Sequence, residues 1–141
     1  MWGSVEDQLI ELRVEPVLSS DGGFRVAGLP ASAQRATADR VRAALLNSGL
    51  AREAPAVVVR MDPPLRTEMT SELDLAIALA VLAWAGAISV RHRWIFARGR
   101  LRLDGTVHLP GELGRGSLSD AARYLCQTLL VGSEHMFEQE A

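Results

Sequence analysis

The chain contains no lysine; all fifteen of its basic residues are arginine. Within these 141 residues that rules out a lysine general base, a Schiff-base lysine and a lysine that grips phosphate in a P-loop. Cysteine is nearly absent as well. Cys126 stands alone, so no internal disulfide and no cysteine-based metal framework can form, which suits a reducing cytoplasm. The opening "MWGSVEDQL" lacks a basic n-region and an apolar h-region, so it is not a secretory signal. Long hydrophobic runs are missing too. The longest uncharged stretch, Leu75 to Val90, is 16 residues with Gly86 inside it, short of the roughly 20 that span a bilayer. A buried core helix is expected there, and no membrane partner. A net charge of −2 makes no global case for nucleic acid.

With 48% hydrophobic and 23% charged residues the chain reads as globular, and its length suits one domain over residues 1–141. "LIELRVEPVL" alternates Ile10, Leu12 and Val14 with Glu11, Arg13 and Glu15, the period of a half-buried strand. "SSDGG" reads as a turn, with "FRVAG" a second strand returning from it. Residues 31–48 place Ala33, Thr37, Val41, Ala44, Leu45 and Ser48 at helical spacing, and Gly49 follows as a C-terminal glycine. Arg35 and Asp39 sit at i,i+4, where an outer-face ion pair is expected. "PAVVVR" is a continuous apolar strand suited to the centre of a sheet, and "MDPPLRTEMT" is irregular because of Pro63 and Pro64. A helix from about Glu72 to Ala85 is apolar on every side from Leu75 onward, so it should pack on nearly every face.

"WIFARGRLRLDGTVHLP" reads as a hairpin over residues 94–109 with a two-residue turn at Asp104-Gly105. "GELGRG" is a connecting loop, "SLSDAARYLC" a short helix, "QTLLVG" a strand and "SEHMFEQEA" the start of a further helix. The fold class is therefore α+β, a mixed sheet covered by helices.

Three features invite a chemical reading. Thr70 and Ser71 stand ahead of the apolar helix, and Ser71-Glu72-Leu73-Asp74 fits the [ST]-x-x-[DE] capping pattern, so capping is expected rather than nucleophilic catalysis. His92, His108 and His135 are scattered, without metal-ligand spacing, and should be solvated or hydrogen-bonded; no metal or cofactor is expected. Between Asp74 and Asp104 there is no acidic residue, yet Arg91, Arg93, Arg98, Arg100 and Arg102 all fall there with His92. In a strand, Arg98, Arg100 and Arg102 share one face, with Gly99, Leu101 and Leu103 on the other. Such a row suits phosphate contacts, with Trp94 and Phe96 as stacking surfaces or core residues, but also serves as a solvated face that blocks sheet-to-sheet aggregation.

Several segments together resemble one family. "VAGLPASAQRATADRVRAALLNSGL", "SELDLAIALAVLAWAGAI" and "RWIFARGRLRLDGTVHLPG" are similar, in order, to blocks of ComM-type, magnesium-chelatase subunit ChlI-like proteins. The matching residues include Gly28-Leu29-Pro30, Asn47-Ser48-Gly49 and Asp74-Leu75, from about Ile10 to Val131. The resemblance implies the family's N-terminal domain, with a Lon-protease-like, ribosomal-protein-domain-2-like α+β fold. An AAA+ ATPase module follows that domain in the family. ComM-type proteins are implicated in DNA branch migration during natural transformation, and RadA proteins carry a related domain. Against the family the chain reads as truncated at both ends, beginning late in the first strand and stopping before the ATPase. It has no G-x-x-x-x-G-K-[ST] motif. Its loop "RMDPPLRTEMT" has lost the family's Asn, Lys and Gly.

On the Ser–Lys pattern of Lon-type proteases, Thr70 falls at the nucleophile position and Gly114 near the lysine position. Threonine without a lysine leaves no peptidase chemistry. The expectation is a non-enzymatic accessory domain that binds single- or double-stranded DNA, with Arg98, Arg100 and Arg102 as first contacts and Arg91 and Arg93 as secondary ones. Docking onto an AAA+ ATPase subunit, self-association, or a remnant without function of its own are the alternatives.

Overall fold

The computed structural model describes residues 1–5, 8–17, 23–67, 70–88, 96–108, 115–119 and 121. Its main layer is a four-stranded mixed sheet. β2 (Gln8–Pro16) buries Ile10 and Leu12 and exposes Arg13 and Glu15, as the alternation requires. It pairs antiparallel with β4 (Val57–Asp62), which sets Val14 opposite Val59 and Leu12 opposite Met61. β4 is central, and its Val57, Val59 and Met61 are buried. β1 (Trp2–Val5), which the sequence reading did not foresee, pairs antiparallel with β2 and forms one end of the sheet. β3 (Arg25–Ala27) forms the other end.

β3 does not lie beside β2 as a simple hairpin would place it. It runs parallel to β4, in the order β1-β2-β4-β3. Parallel neighbours need a crossover connection, and the helix between β3 and β4 supplies it. The "SSDGG" turn lies largely outside the described residues.

That helix, α1 (Ala31–Asn47), buries Thr37, Ala38, Val41, Ala44 and Leu45. It stops where Gly49 takes φ +77, a conformation that costs other residues energy. The expected Arg35–Asp39 ion pair does not form; both side chains are exposed and line a cleft beside β3 instead. At the other end of the core, α2 (Asp74–Trp84) is buried without a break from Asp74 to Leu82. A helix apolar all round is stable only when enclosed, and this one is. No helix among the described residues is long and apolar enough to cross a membrane.

A second, antiparallel sheet joins β5 (Arg100–Leu101), β6 (Thr106–His108) and β7 (Arg115–Ser117). Part of the expected glycine-rich loop is thus a strand. The β5–β6 turn is also longer than expected. The Arg102 amide donates to the Thr106 carbonyl and the Gly105 amide to the Arg102 carbonyl, which encloses a three-residue loop, Leu103 to Gly105. Only Gly105, at φ +90, needs the left-handed region, as in a type I turn closed by a glycine bulge. Leu103 therefore leaves the strand alternation and is exposed. Ser117, expected to open a helix, ends β7 instead, and Leu118, Ser119 and Ala121 are helical. Residues 120 and 122–126, with "QTLLVG" and "SEHMFEQEA", lie outside the described residues.

Candidate functional site

The arginine-bearing segment is held by the start of α2. A short 3-10 turn, Ser71–Leu73, precedes that helix. The Gly99 amide donates to the Glu72 carbonyl at 2.9 Å, and the Leu75 amide donates to the Gly99 carbonyl at 3.0 Å. Residues 99–101 thus satisfy a first-turn donor that helix geometry leaves unpaired. Glycine suits this approach: a Cβ on Gly99 would stand 3.1 Å from Val107 Cγ1 and 3.2 Å from Leu75 Cδ2, so those side chains would have to give way.

The hydroxyls do not cap. Thr70 and Leu73, which precede the 3-10 turn and the helix, make no side-chain capping hydrogen bond. Ser71 Oγ accepts from Arg100 Nε at 3.1 Å. Asp74 is recruited across the core. Its carboxylate accepts from Arg40 Nε at 2.7 Å and Arg40 Nη2 at 2.8 Å, and from the Leu101 amide at 3.1 Å. The interposed 3-10 turn moves the helix start to Asp74 itself, so the spacing of a capping box no longer applies.

The Asp74 side chain is 0% exposed and that of Arg40 27%. Burial pushes the Asp74 carboxyl above its ordinary value, while Arg40 and the Leu101 amide pull it back. The hydrogen bond to Asp74 in turn holds the Arg40 guanidinium above its ordinary range. One carboxylate therefore links α1, α2 and β5.

Thr70, 2% exposed, borders a cleft of about 220 Å³ with Ser32, Thr37, Arg40 and Ser71. Arg40 is the one ionisable side chain among its lining residues, and Asp74 keeps it protonated. It cannot take a proton from a hydroxyl. Gly114, the counterpart of the lysine position, lies outside the described residues.

Arg98, Arg100 and Arg102 are exposed, while Gly99 and Leu101 between them are buried. Arg98 pairs with Glu72 at 3.0 Å, both partly exposed. Such exposed pairs contribute about 0–1 kcal/mol. Arg102 lies at the edge of the β5–β6 turn, whose Leu103 carbonyl accepts from Asn47 Nδ2 at 2.6 Å. Phe96 bridges to Trp2 of β1 and is half-buried. Arg91, His92, Arg93, Trp94 and His135 lie outside the described residues. His108 is on β6 opposite Arg100, with a buried Nε2 that has no hydrogen-bond partner among the described residues, contrary to the expectation of a satisfied imidazole.

The family model for subunit ChlI of Mg-chelatase matches residues 10–131. The chain belongs to the ChlI family. The match takes in both sheets from β2 to β7 and both helices, so the Asp74–Arg40 link and the arginine segment are parts of the ChlI domain. No curated protein matches the chain. The family description refers to magnesium, but among the described residues no three His, Cys, Asp or Glu side chains gather as a metal site. Asp74, the buried carboxylate, is already bonded to Arg40.

Sequence reasoning missed the role of Arg40. A signal existed: Asp74 heads an apolar run and is buried with it, and a buried carboxylate needs a cation.

Proposed function

We propose that this ChlI-family chain is a non-catalytic accessory domain that contacts nucleic-acid phosphates through Arg98, Arg100 and Arg102. The observation that carries the reading is the placement of these residues. Their guanidinium groups project to solvent from a backbone anchored at Gly99, Leu101 and Arg102 by hydrogen bonds. Anchoring lowers the entropy lost when each side chain meets a phosphate. The Arg98–Glu72 pair is exposed and weak, so a phosphate displaces the carboxylate at little cost. A non-catalytic role is supported by the absence of lysine from the chain and by the protonated Arg40 beside Thr70.

The test is fluorescence anisotropy of labelled single- and double-stranded DNA titrated with the full chain and with Arg100→Glu/Arg102→Glu. The expected result is salt-sensitive binding that the double variant loses, with its circular dichroism unchanged. Equal affinity for both proteins would refute the assignment. Docking onto an AAA+ ATPase or onto another copy is the second reading. It is favoured by the partial use of the row inside the molecule, Arg98 on Glu72 and Arg100 on Ser71.

A further inference from the structure

β3 is an end strand. β4 pairs with one side of it, and among the described residues no strand pairs with the other. Beside β3 is a cleft of about 540 Å³, lined by Phe24 to Ala27, by Gln34 and Arg35 of α1, and by Val58 and Arg60 of β4. An edge strand presents backbone N–H and C=O groups that pair readily with a further extended chain. The charge of the cleft is one-sided. Arg25, Arg35 and Arg60 line it, and Asp39 is its one carboxylate. Arg60 is shared with Glu15 in an exposed pair at 2.7 Å. Arg25 and Arg35 are exposed and make no ion pair among the described residues.

We propose that this edge and cleft dock an extended acidic segment of a partner protein, added as a strand beside β3. The backbone of Arg25–Ala27 supplies the ladder, and Arg25 and Arg35 receive carboxylates that alternate along the incoming strand. A polynucleotide would use the arginines but leave the β3 backbone groups unpaired. Ladder and charge together favour a peptide. This surface lies at the opposite end of the main sheet from β1, to which Phe96 of the arginine-bearing segment bridges. It does not depend on the nucleic-acid reading.

The probe is a fluorescein-labelled eight-residue peptide of alternating glutamate and valine, titrated into the full chain. The expected result is saturable binding, at least about tenfold weaker for the lysine–valine counterpart and for a copy with alternate backbone amides N-methylated. Arg35→Glu, a change at an exposed position, should weaken binding by at least about fivefold, and Arg100→Glu should leave it unchanged. Amide NMR shifts should move at Arg25–Ala27. Three results would each overturn the proposal: no saturable binding below about 1 mM peptide, undiminished binding of the N-methylated peptide, or no effect of Arg35→Glu. Displacement of the peptide by single-stranded DNA, with the same amides perturbed, would make the cleft a general polyanion site and equally reject strand docking.

Discussion

Replacing Arg40 by methionine should be among the more damaging single changes in the protein, and its effect should depend on pH in a defined direction. The variant keeps the aliphatic bulk on α1 but leaves the Asp74 carboxylate, 0% exposed, with only the Leu101 amide of its three donor contacts. Breaking a buried pair by removing one partner costs about 3–5 kcal/mol, a large part of a domain's stability of about 5–15 kcal/mol. The reverse change is milder. In Asp74→Asn the amide oxygen can still accept from Leu101, and Arg40, 27% exposed, can turn to water, so the loss should be about 1–2 kcal/mol.

The pH dependence follows from burial, which already holds the Asp74 carboxyl above its ordinary value against the pull of Arg40. Without Arg40 that value rises further. The folded state then binds a proton that the unfolded chain releases above about pH 4. Stability is therefore lost as pH rises from there through the folded-state value, and regained on acidification. Urea denaturation at pH 5 and pH 8 reads this directly. Arg40→Met should be more stable at the lower pH relative to Arg40→Met/Asp74→Asn, in which no carboxyl titrates at this position. A loss below about 1 kcal/mol, or a relative loss on going from pH 8 to pH 5, would refute the reasoning.

Three further outcomes are expected. Gly28 and Gly49 both have positive φ, but a Cβ on Gly28 would stand 2.9 Å from Met61 O, while one on Gly49 meets nothing within 4 Å. By thermal denaturation, Gly49→Ala should cost about 1–2 kcal/mol and Gly28→Ala distinctly more. Ile77→Ala, at a fully buried position on α2, should cost about 2–5 kcal/mol, whereas Leu103→Ser on the exposed turn should change stability by about 0.5 kcal/mol or less. Ser71→Ala should leave the fold intact, since Ser71 does not cap the helix, and should change DNA affinity only through the freedom of Arg100, as titration would show.

The fold was legible wherever one period governs a segment. The alternation of Ile10, Leu12 and Val14, the helical spacing of Thr37, Val41, Ala44 and Leu45, and the all-apolar run from Leu75 each state which face is buried, and the structure buries those faces. Pairing was less legible. β3 reads as a strand, but its neighbour is set by the α1 crossover, not by its own three residues. β1 is too short to show a period. At the site, Arg98, Arg100 and Arg102 are exposed as their alternation with Gly99 and Leu101 suggests. Only Arg100 lies on β5, however; Arg98 and Arg102 flank that two-residue strand, and Leu103 is exposed rather than on the opposite face. The partnership of Asp74 with Arg40 spans 34 positions, and no local pattern announces it. The capping pattern at Ser71 misled because sequence spacing does not distinguish an α-helical first turn from a 3-10 turn.

The most direct measurement of the proposed function is the salt dependence of duplex-DNA affinity for the wild type and for Arg100→Ala/Arg102→Ala, by anisotropy between about 50 and 200 mM salt. If Arg98, Arg100 and Arg102 each neutralise a phosphate, the wild-type log–log slope is about −2.7, at roughly −0.9 for each contact. The double variant should retain a slope of about −0.9, with weaker binding throughout. An unchanged slope in the double variant would place any DNA contact elsewhere, and no binding by the folded wild type would contradict the nucleic-acid role itself.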